Sequence, residues 1–205
     1  KFDDHKVSHL NDFDSEKWNF FYELEKKYNK KLALFFPMNL KNCFSSNTIF
    51  VPDPWTETSI NAENNIKKIF KIFKKMILEN ASSKINFTDF FSLLIFATFR
   101  TSINFKFFIL KNLKKIFKFK FFKAIVFDRI CWEMYKKIIN SDKYDVSSLF
   151  MNSCAHVQHH YFLNSSVVNS KIKNPSWYLK NIDPVYECLK SYDNVLGELK
   201  KFKNK

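Results

Sequence analysis

The histidines are the side chains of this sequence with the clearest chemical potential. Three of the five lie within five residues, at His156, His159 and His160. Neutral imidazole is a common zinc ligand, and two histidines with one oxygen donor can form an open catalytic metal site. Asn152, four residues before His156, offers that oxygen, and in a helix His156 and His160 would share a face. The alternative is a polar turn whose histidines satisfy local hydrogen bonds.

The elements around the cluster predict a mixed fold. A strand over residues 146–151 runs directly into the histidines, and shorter buried strands are predicted over 31–37 and 47–53. A helix over 15–30 precedes them, and this order favours an α/β sheet over a helical bundle. Ligand sites of open α/β sheets lie beyond the carboxyl ends of strands, which is where the cluster falls.

One segment carries most of the positive charge. Residues 61–123 hold 14 Lys and Arg against three acidic residues, an excess of 11 within a net charge of +14. Their apolar spacing predicts an amphipathic helix over 61–80, an apolar helix ending near Arg100, and a helical stretch over 103–139. These helices either present a membrane-contacting surface or simply pack with lysine on their outer faces. Nucleic acid is disfavoured, because arginine, the better reader of phosphates and bases, is scarce.

The scarcity of glycine excludes several common sites. Gly197 is the only glycine, so the stretch contains no Walker-type phosphate loop, glycine-rich Rossmann turn or nucleophile elbow. The HExxH zinc motif is also absent, because Val157 follows His156. The four cysteines are widely spaced without a CxxC pair, which favours a reducing compartment and hence a cytoplasmic location.

The histidine segment resembles a known metal motif. Asn152-Ser-Cys-Ala155-His156 is similar to the Asp-x-x-Gly-His motif of the alkaline phosphatase superfamily, in its type I phosphodiesterase/nucleotide pyrophosphatase-like branch. Residues 192–199 resemble the Tyr-Asp-x-x-Leu/Ile-Gly-x-Leu helix that follows in that family, with Gly197 at the family's glycine. Residues 18–55 are similar to the family's passage of helix, Gly-Lys-Lys strand and Val-Pro-Asp.

The resemblance implies a fold and a division of the chain. The fold would be part of an alkaline-phosphatase-like α/β sheet with a helix-rich, basic insertion. Residues 1–60 would form a helix and two short strands, and residues 61–143 the basic Phe/Lys-rich helical cap or insertion. Residues 144–205 would add a strand, the histidine-rich loop and a C-terminal helix that begins at Pro184.

The resemblance also implies metal-assisted hydrolysis of phosphate or sulfate esters. His156, Asn152 and His160 would bind the metal, zinc or alternatively manganese, while His159 and Asp53 would contact the anionic ester substrate. Asp53 has a simpler interpretation as part of an Asp-Pro turn. The family's nucleophile and second metal half-site have no counterpart here, so the sequence is expected to be the middle of a longer enzyme.

Two other classes of function remain open at the level of sequence. One is a non-catalytic basic helical module that binds a membrane surface, through residues 61–123, or nucleic acid. The other is a degenerate relative that keeps the fold but has lost its metal, which the neutral Asn152 in place of aspartate favours.

Overall fold

The computed structural model describes residues 20–78, 86–139, 143–168 and 171–203. The start of the helix predicted over 15–30 and the last two residues of the helix predicted over 61–80 lie outside these ranges. The helices are α1 (Phe20–Lys26), α2 (Asn64–Leu78), α3 (Phe87–Phe99), α4 (Ile103–Lys118), α5 (Phe122–Ile139), α6 (Ser153–Tyr161) and α7 (Pro184–Lys203), and the strands are β1 (Leu32–Phe35), β2 (Ile49–Val51) and β3 (Val146–Leu149). The mixed α/β class is therefore confirmed.

The chain forms two compact units. The described residues within 1–89 and 141–150 form the first unit, and those within 90–140 and 151–205 form the second. This division differs from the predicted one: α2 belongs with the sheet, whereas α6 and α7 belong with α4 and α5. The basic segment is thus shared between the two units.

The first unit contains a parallel sheet with the strand order β2-β1-β3. The central strand β1 is buried along its whole length, as expected for an uninterrupted apolar run in a parallel sheet. Leu34 pairs with Phe50 of β2 on one side and with Ser148 of β3 on the other. All three predicted strands are confirmed, and their carboxyl ends lie at the same edge.

The lack of glycine is visible in the backbone of the first unit. Among its described residues, three non-glycine residues have positive φ angles: Asn29 at 50°, Phe36 at 60° and Asn39 at 55°. Asparagine tolerates this region, but phenylalanine rarely occupies it. Phe36 directly follows β1, and its buried ring stacks on Phe70 of α2 with 6.0 Å between the ring centroids. Packing of the aromatic ring therefore holds a backbone conformation that glycine commonly supplies.

The second unit is helical and contains an apolar cluster among its described residues. Phe121, Phe122, Ile125, Val157, Val185 and Cys188 form its buried centre. The single helical stretch predicted over 103–139 is wrong, because α4 ends at Lys118 and the backbone of Phe119 is extended. Neither proline nor glycine marks this break. It coincides with the burial of the adjacent Phe121 and Phe122 rings in the same cluster.

Two further predictions concern local features. The capping signal before α3 is confirmed, since the Asn86 side chain accepts a hydrogen bond from the Asp89 backbone N–H at 2.7 Å. The histidine-rich segment, predicted as a loop, is instead the helix α6. Across the described part of the chain the four cysteines form no disulfide bond. None of the described helices combines the length and apolar character needed to cross a bilayer.

The single glycine lies inside α7, where it is not required by the backbone. A methyl group added at Gly197 would meet no atom within 4 Å outside its own helix turn. Gly197→Ala should therefore raise the free energy of unfolding by about 0.5–1 kcal/mol, because alanine loses less backbone entropy in a helix. Urea denaturation measures the change, with Gly197→Val as a β-branched control of smaller benefit. A lower stability for the alanine variant would contradict the prediction.

Candidate functional site

The predicted metal ligands lie along one side of α6. This helix begins at Ser153, four residues after β3 ends at Leu149. Asn152, His156 and His160 are spaced four residues apart, and the ring centroids of the two histidines are 6.1 Å apart. His159 falls on the same side by helical spacing, and its side chain is exposed. The segment is therefore a helix, in place of the predicted loop or polar turn, and His156 and His160 have the four-residue spacing of neighbours on one face.

A buried carboxylate from α5 fixes the start of α6. Asp128, only 2% exposed, accepts hydrogen bonds from the backbone N–H groups of Asn152 at 3.2 Å and Ser153 at 2.8 Å. These are orphan donors of a helix N-terminus, which favours a negative group. The Asn152 side chain makes no capping hydrogen bond itself. Asp128, which is distant in the sequence, therefore caps α6, and the Asn152 side-chain amide does not.

Tyr192 of α7 completes this anchor. Its hydroxyl donates a hydrogen bond to Asp128 at 2.9 Å and accepts one from the Cys154 backbone N–H at 3.2 Å. Tyr192 opens the stretch of α7 that resembles the family's Tyr-Asp-x-x-Leu-Gly helix, and here it positions α6. Sequence reasoning missed Asp128, although one signal was available: no acidic residue occurs between Asp89 and Asp128.

Burial sets the protonation of these groups. It raises the pKa of Asp128, while hydrogen bonds from Ser153, Tyr192 and Asn152 offset part of the rise. Burial, and then the charge of Asp128, raises the pKa of Tyr192, so the phenol remains a donor. Protein atoms around the His156 ring, and then positive charge on His160 and His159, lower the pKa of His156. His156 is therefore neutral at pH 7, the form that binds a metal.

His160 is held by an aromatic stack. Its ring lies 4.2 Å from the ring of Trp177, with an angle of 23° between the planes, and the Tyr161 ring meets Trp177 edge-on at 5.5 Å. Across the described residues, no three His, Cys, Asp or Glu side chains are grouped to hold a metal ion. The role of Asn152, His156 and His160 as metal ligands therefore stays a prediction, and the His160 ring is stacked on Trp177.

Asp53 belongs to the first unit, whereas the histidines belong to the second. Asp53 is 1% exposed and closes a turn, accepting hydrogen bonds from the backbone N–H groups of Asn39, Trp55 and Thr56 at 2.9, 2.9 and 3.1 Å. The Thr56 hydroxyl also donates to it. Both carboxylate oxygens thus have partners within the Asp-Pro turn, and the role of Asp53 in substrate binding stays a prediction.

Comparison of the chain with protein-family models, with curated proteins and with solved structures found no match. The function of the site therefore has to be argued from its residues and geometry.

The Asp128 anchor predicts a graded loss of stability. Asp128→Ala should lower the free energy of unfolding by about 2–4 kcal/mol, because it leaves two buried backbone N–H groups and the Tyr192 hydroxyl without an acceptor. Tyr192→Phe removes one donor and should cost about 1 kcal/mol. Asp193→Ala, an exposed neighbour, is the matched control and should stay within about 0.5 kcal/mol. Equal effects of the Asp128 and Asp193 variants in urea denaturation would contradict this role.

The same anchor predicts a pH dependence. Because the folded-state pKa of Asp128 lies above its ordinary value of 3.8, the folded state binds this proton more tightly than the unfolded state. The Asp128 contribution to stability is therefore complete below pH 3.8 and falls as the pH rises through the folded-state pKa. The free energy of unfolding of the Asp128→Asn variant should therefore decrease less with rising pH, across that range, than that of the natural sequence. Urea denaturation at a series of pH values measures the difference.

Proposed function

We propose that this chain is part of a metal-dependent hydrolase of phosphate or sulfate esters, related to the type I phosphodiesterase-like branch of the alkaline phosphatase superfamily. The observation that supports the proposal most strongly is that His156 and His160 lie one helical turn apart on α6, with Asn152 immediately before the helix. Along the chain, α6 begins four residues after β3 ends, and the segment that follows a strand often carries ligand residues in α/β enzymes. In this proposal the three strands are part of an alkaline-phosphatase-like sheet.

In this proposal, Asn152 and the histidines of α6 have different roles. His156 binds zinc through its neutral imidazole and Asn152 through its amide oxygen, and the ion supplies Lewis-acid chemistry when bound. An amide is a weaker ligand than a carboxylate, which leaves manganese as the alternative ion. His160, braced by Trp177, is the further ligand, and the exposed His159 donates a hydrogen bond to an ester oxygen. Asp128 and Tyr192 hold the helix that presents these groups.

Zinc binding tests the proposal through His156. The protein equilibrated with zinc should retain the ion, and His156→Ala should weaken binding by at least about tenfold, because an imidazole ligand is lost. Gln158→Ala, an exposed neighbour on α6, is the matched control and should bind zinc normally. Asn152→Asp should bind zinc more tightly than the natural sequence, because a carboxylate replaces a neutral amide. Isothermal titration and metal analysis of the dialysed protein measure these changes.

Hydrolysis provides the second readout of the same proposal. The full-length protein should hydrolyse bis(p-nitrophenyl) phosphate in the presence of zinc or manganese, and His159→Ala should slow the reaction without releasing the metal. Retention of zinc by the His156→Ala variant, with unchanged hydrolysis, would refute the enzyme. Failure to bind zinc or manganese, together with no hydrolysis of phosphate or sulfate esters, would leave only the degenerate relative that has lost its metal.

A second candidate function, contact with a membrane surface, is favoured by the outer face of α4. Large apolar side chains recur along it with high exposure: Ile103 at 61%, Phe107 at 63%, Leu110 at 67%, Leu113 at 45% and Phe117 at 83%. The opposite face packs into the second unit through Phe105 and Ile116. Because Phe105 and Ile116 pack into the second unit, the opposite side of α4 is exposed.

Charge indicates what this face would meet. Lysines 106, 111, 114 and 118 lie on or beside it, and residues 90–123 contain eight basic and no acidic residues. Exposed apolar side chains with lysine at their borders are typical of helices that lie in the interface of an anionic bilayer. Each lysine near such a surface contributes about 1 kcal/mol of attraction at low salt. We therefore propose an anionic lipid surface as the partner of α4.

Vesicle binding tests the second candidate. Phe107→Ser combined with Phe117→Ser should weaken binding to vesicles rich in phosphatidylserine by at least about tenfold, because two rings no longer enter the bilayer interface. Tyr186→Ser with Leu196→Ser, two exposed apolar residues of α7, is the matched control. Binding by the natural sequence should also fall as salt is added. Equal binding by both double variants, or indifference to salt, would contradict the membrane contact.

A further inference from the structure

A cavity of about 410 Å³ lies between α4, α5 and α7, within the second unit. This volume is in the range of small-molecule sites. Five cationic side chains line it, at Lys111, Lys115, Arg129, Lys190 and Lys201, together with the two carboxylates of Glu187 and Glu198. The walls therefore carry an excess of three positive charges.

The two carboxylates are already neutralised. Both oxygens of Glu187 accept hydrogen bonds from Lys115 at 2.8 Å. Glu198 pairs with Arg129 at 2.7 Å and with Lys136 at 2.9 Å. Burial opposes ionisation of Glu198, but hydrogen bonds from Trp132, Arg129 and Lys136 lower its pKa to about 2. Both acids are thus paired with cations, of which Lys115 and Arg129 line the cavity and Lys136 does not.

The other three lysines of the cavity remain uncompensated. Lys111, Lys190 and Lys201 form no ion pair with any residue of the described ranges. They come from two helices, Lys111 from α4 and the other two from α7. Like charges that converge on one concave surface repel each other, and an anion between them would remove that repulsion.

Arg129 is a second and independent indication of an anionic ligand. Its side chain is 3% exposed and donates to Glu198 through Nη2, while its guanidinium lies 5.4 Å from the centre of the Phe108 ring. Its Nε and Nη1 atoms are buried and have no hydrogen-bond partner. Buried donors without a partner are rare in proteins and destabilising, and a missing ligand is one of their recognised explanations. This one lines the cavity.

We propose that this cavity is a binding site for an organic phosphate. Lys111, Lys190 and Lys201 surround the phosphate oxygens, and Arg129 of the cavity wall contributes Nε and Nη1, which have no hydrogen-bond partner among the described residues. Phe107, Phe108 and Phe122 line the same cavity and favour a ligand whose phosphate is attached to an aromatic or apolar group. The proposal goes beyond the hydrolase, because no residue of α6 lines this site.

The phosphate has two sources with the same chemistry. One is a soluble organic phosphate. The other is the headgroup of a phospholipid, since Phe107 and Lys111 belong both to the cavity and to the outer face of α4. The experiment therefore has a soluble arm and a lipid arm.

Titration calorimetry with phenyl phosphate at fixed ionic strength is the soluble arm. Phenyl phosphate should bind more tightly than inorganic phosphate, because its ring contacts the phenylalanines of the cavity. The triple variant Lys111→Gln, Lys190→Gln and Lys201→Gln should weaken binding by at least about tenfold, the summed effect of three exposed charge contacts. The matched control, Lys123→Gln, Lys173→Gln and Lys180→Gln, removes the same charge elsewhere in the second unit and should bind normally.

Vesicles containing phosphatidic acid form the lipid arm. This arm uses the double variant Lys190→Gln and Lys201→Gln, because Lys111 also belongs to the outer face of α4. Loss of binding in the lipid arm alone assigns the phosphate to a lipid headgroup, and loss in the soluble arm assigns it to a soluble ligand. The proposal is overturned when neither probe binds at millimolar concentration, or when the control lysines matter as much as those of the cavity.

The same titrations separate this site from the proposed metal site. Phenyl phosphate binding should be unchanged in His156→Ala and in the presence of EDTA. Conversely, the triple lysine variant should keep its zinc. Loss of phenyl phosphate binding on removal of the metal would place the phosphate at α6 and overturn the cavity proposal, without affecting the hydrolase.

Discussion

The buried carboxylate of Asp128 is the interaction on which the candidate site depends. It joins three helices, because it lies on α5, accepts from the first backbone N–H groups of α6 and receives the Tyr192 hydroxyl of α7. A buried acid is costly unless its oxygens are hydrogen-bonded, and here three donors converge on it. This arrangement fixes where α6 begins and which of its residues point away from the core. The positions of Asn152 and His156 follow from it.

The few acids of the second unit also organise its positive charge. Glu133 binds the Ser102 backbone N–H at the start of α4 and the Lys136 ammonium, while Glu198 binds Lys136 and Arg129. Cations near the core are therefore compensated by partners from other helices. Among the remaining lysines, some line the cavity and others lie along the outer face of α4. These two surfaces adjoin, because Phe107 and Lys111 belong to both, and they are the ones for which we propose an organic phosphate and an anionic bilayer.

Shortage of glycine has consequences of different kinds in the two units. At Phe36 a backbone conformation common for glycine is held by a buried aromatic ring, so packing replaces conformational freedom. In α7 the one glycine is exposed in a helix interior, where nothing in the structure requires it. The single glycine therefore excludes glycine-rich phosphate loops from this sequence. It does not indicate which residues have strained backbone conformations.

By itself the sequence determined the mixed class, the three strands and the cap of α3, because each depends on local pattern. Only the tertiary structure shows where the chain breaks between α4 and α5, that Asp128 caps α6, and which charged side chains line the cavity. The reason is distance along the chain: Asp128 lies 25 residues before Ser153 and 64 before Tyr192. Such pairings leave no periodic signal, and only packing brings their atoms within hydrogen-bond reach.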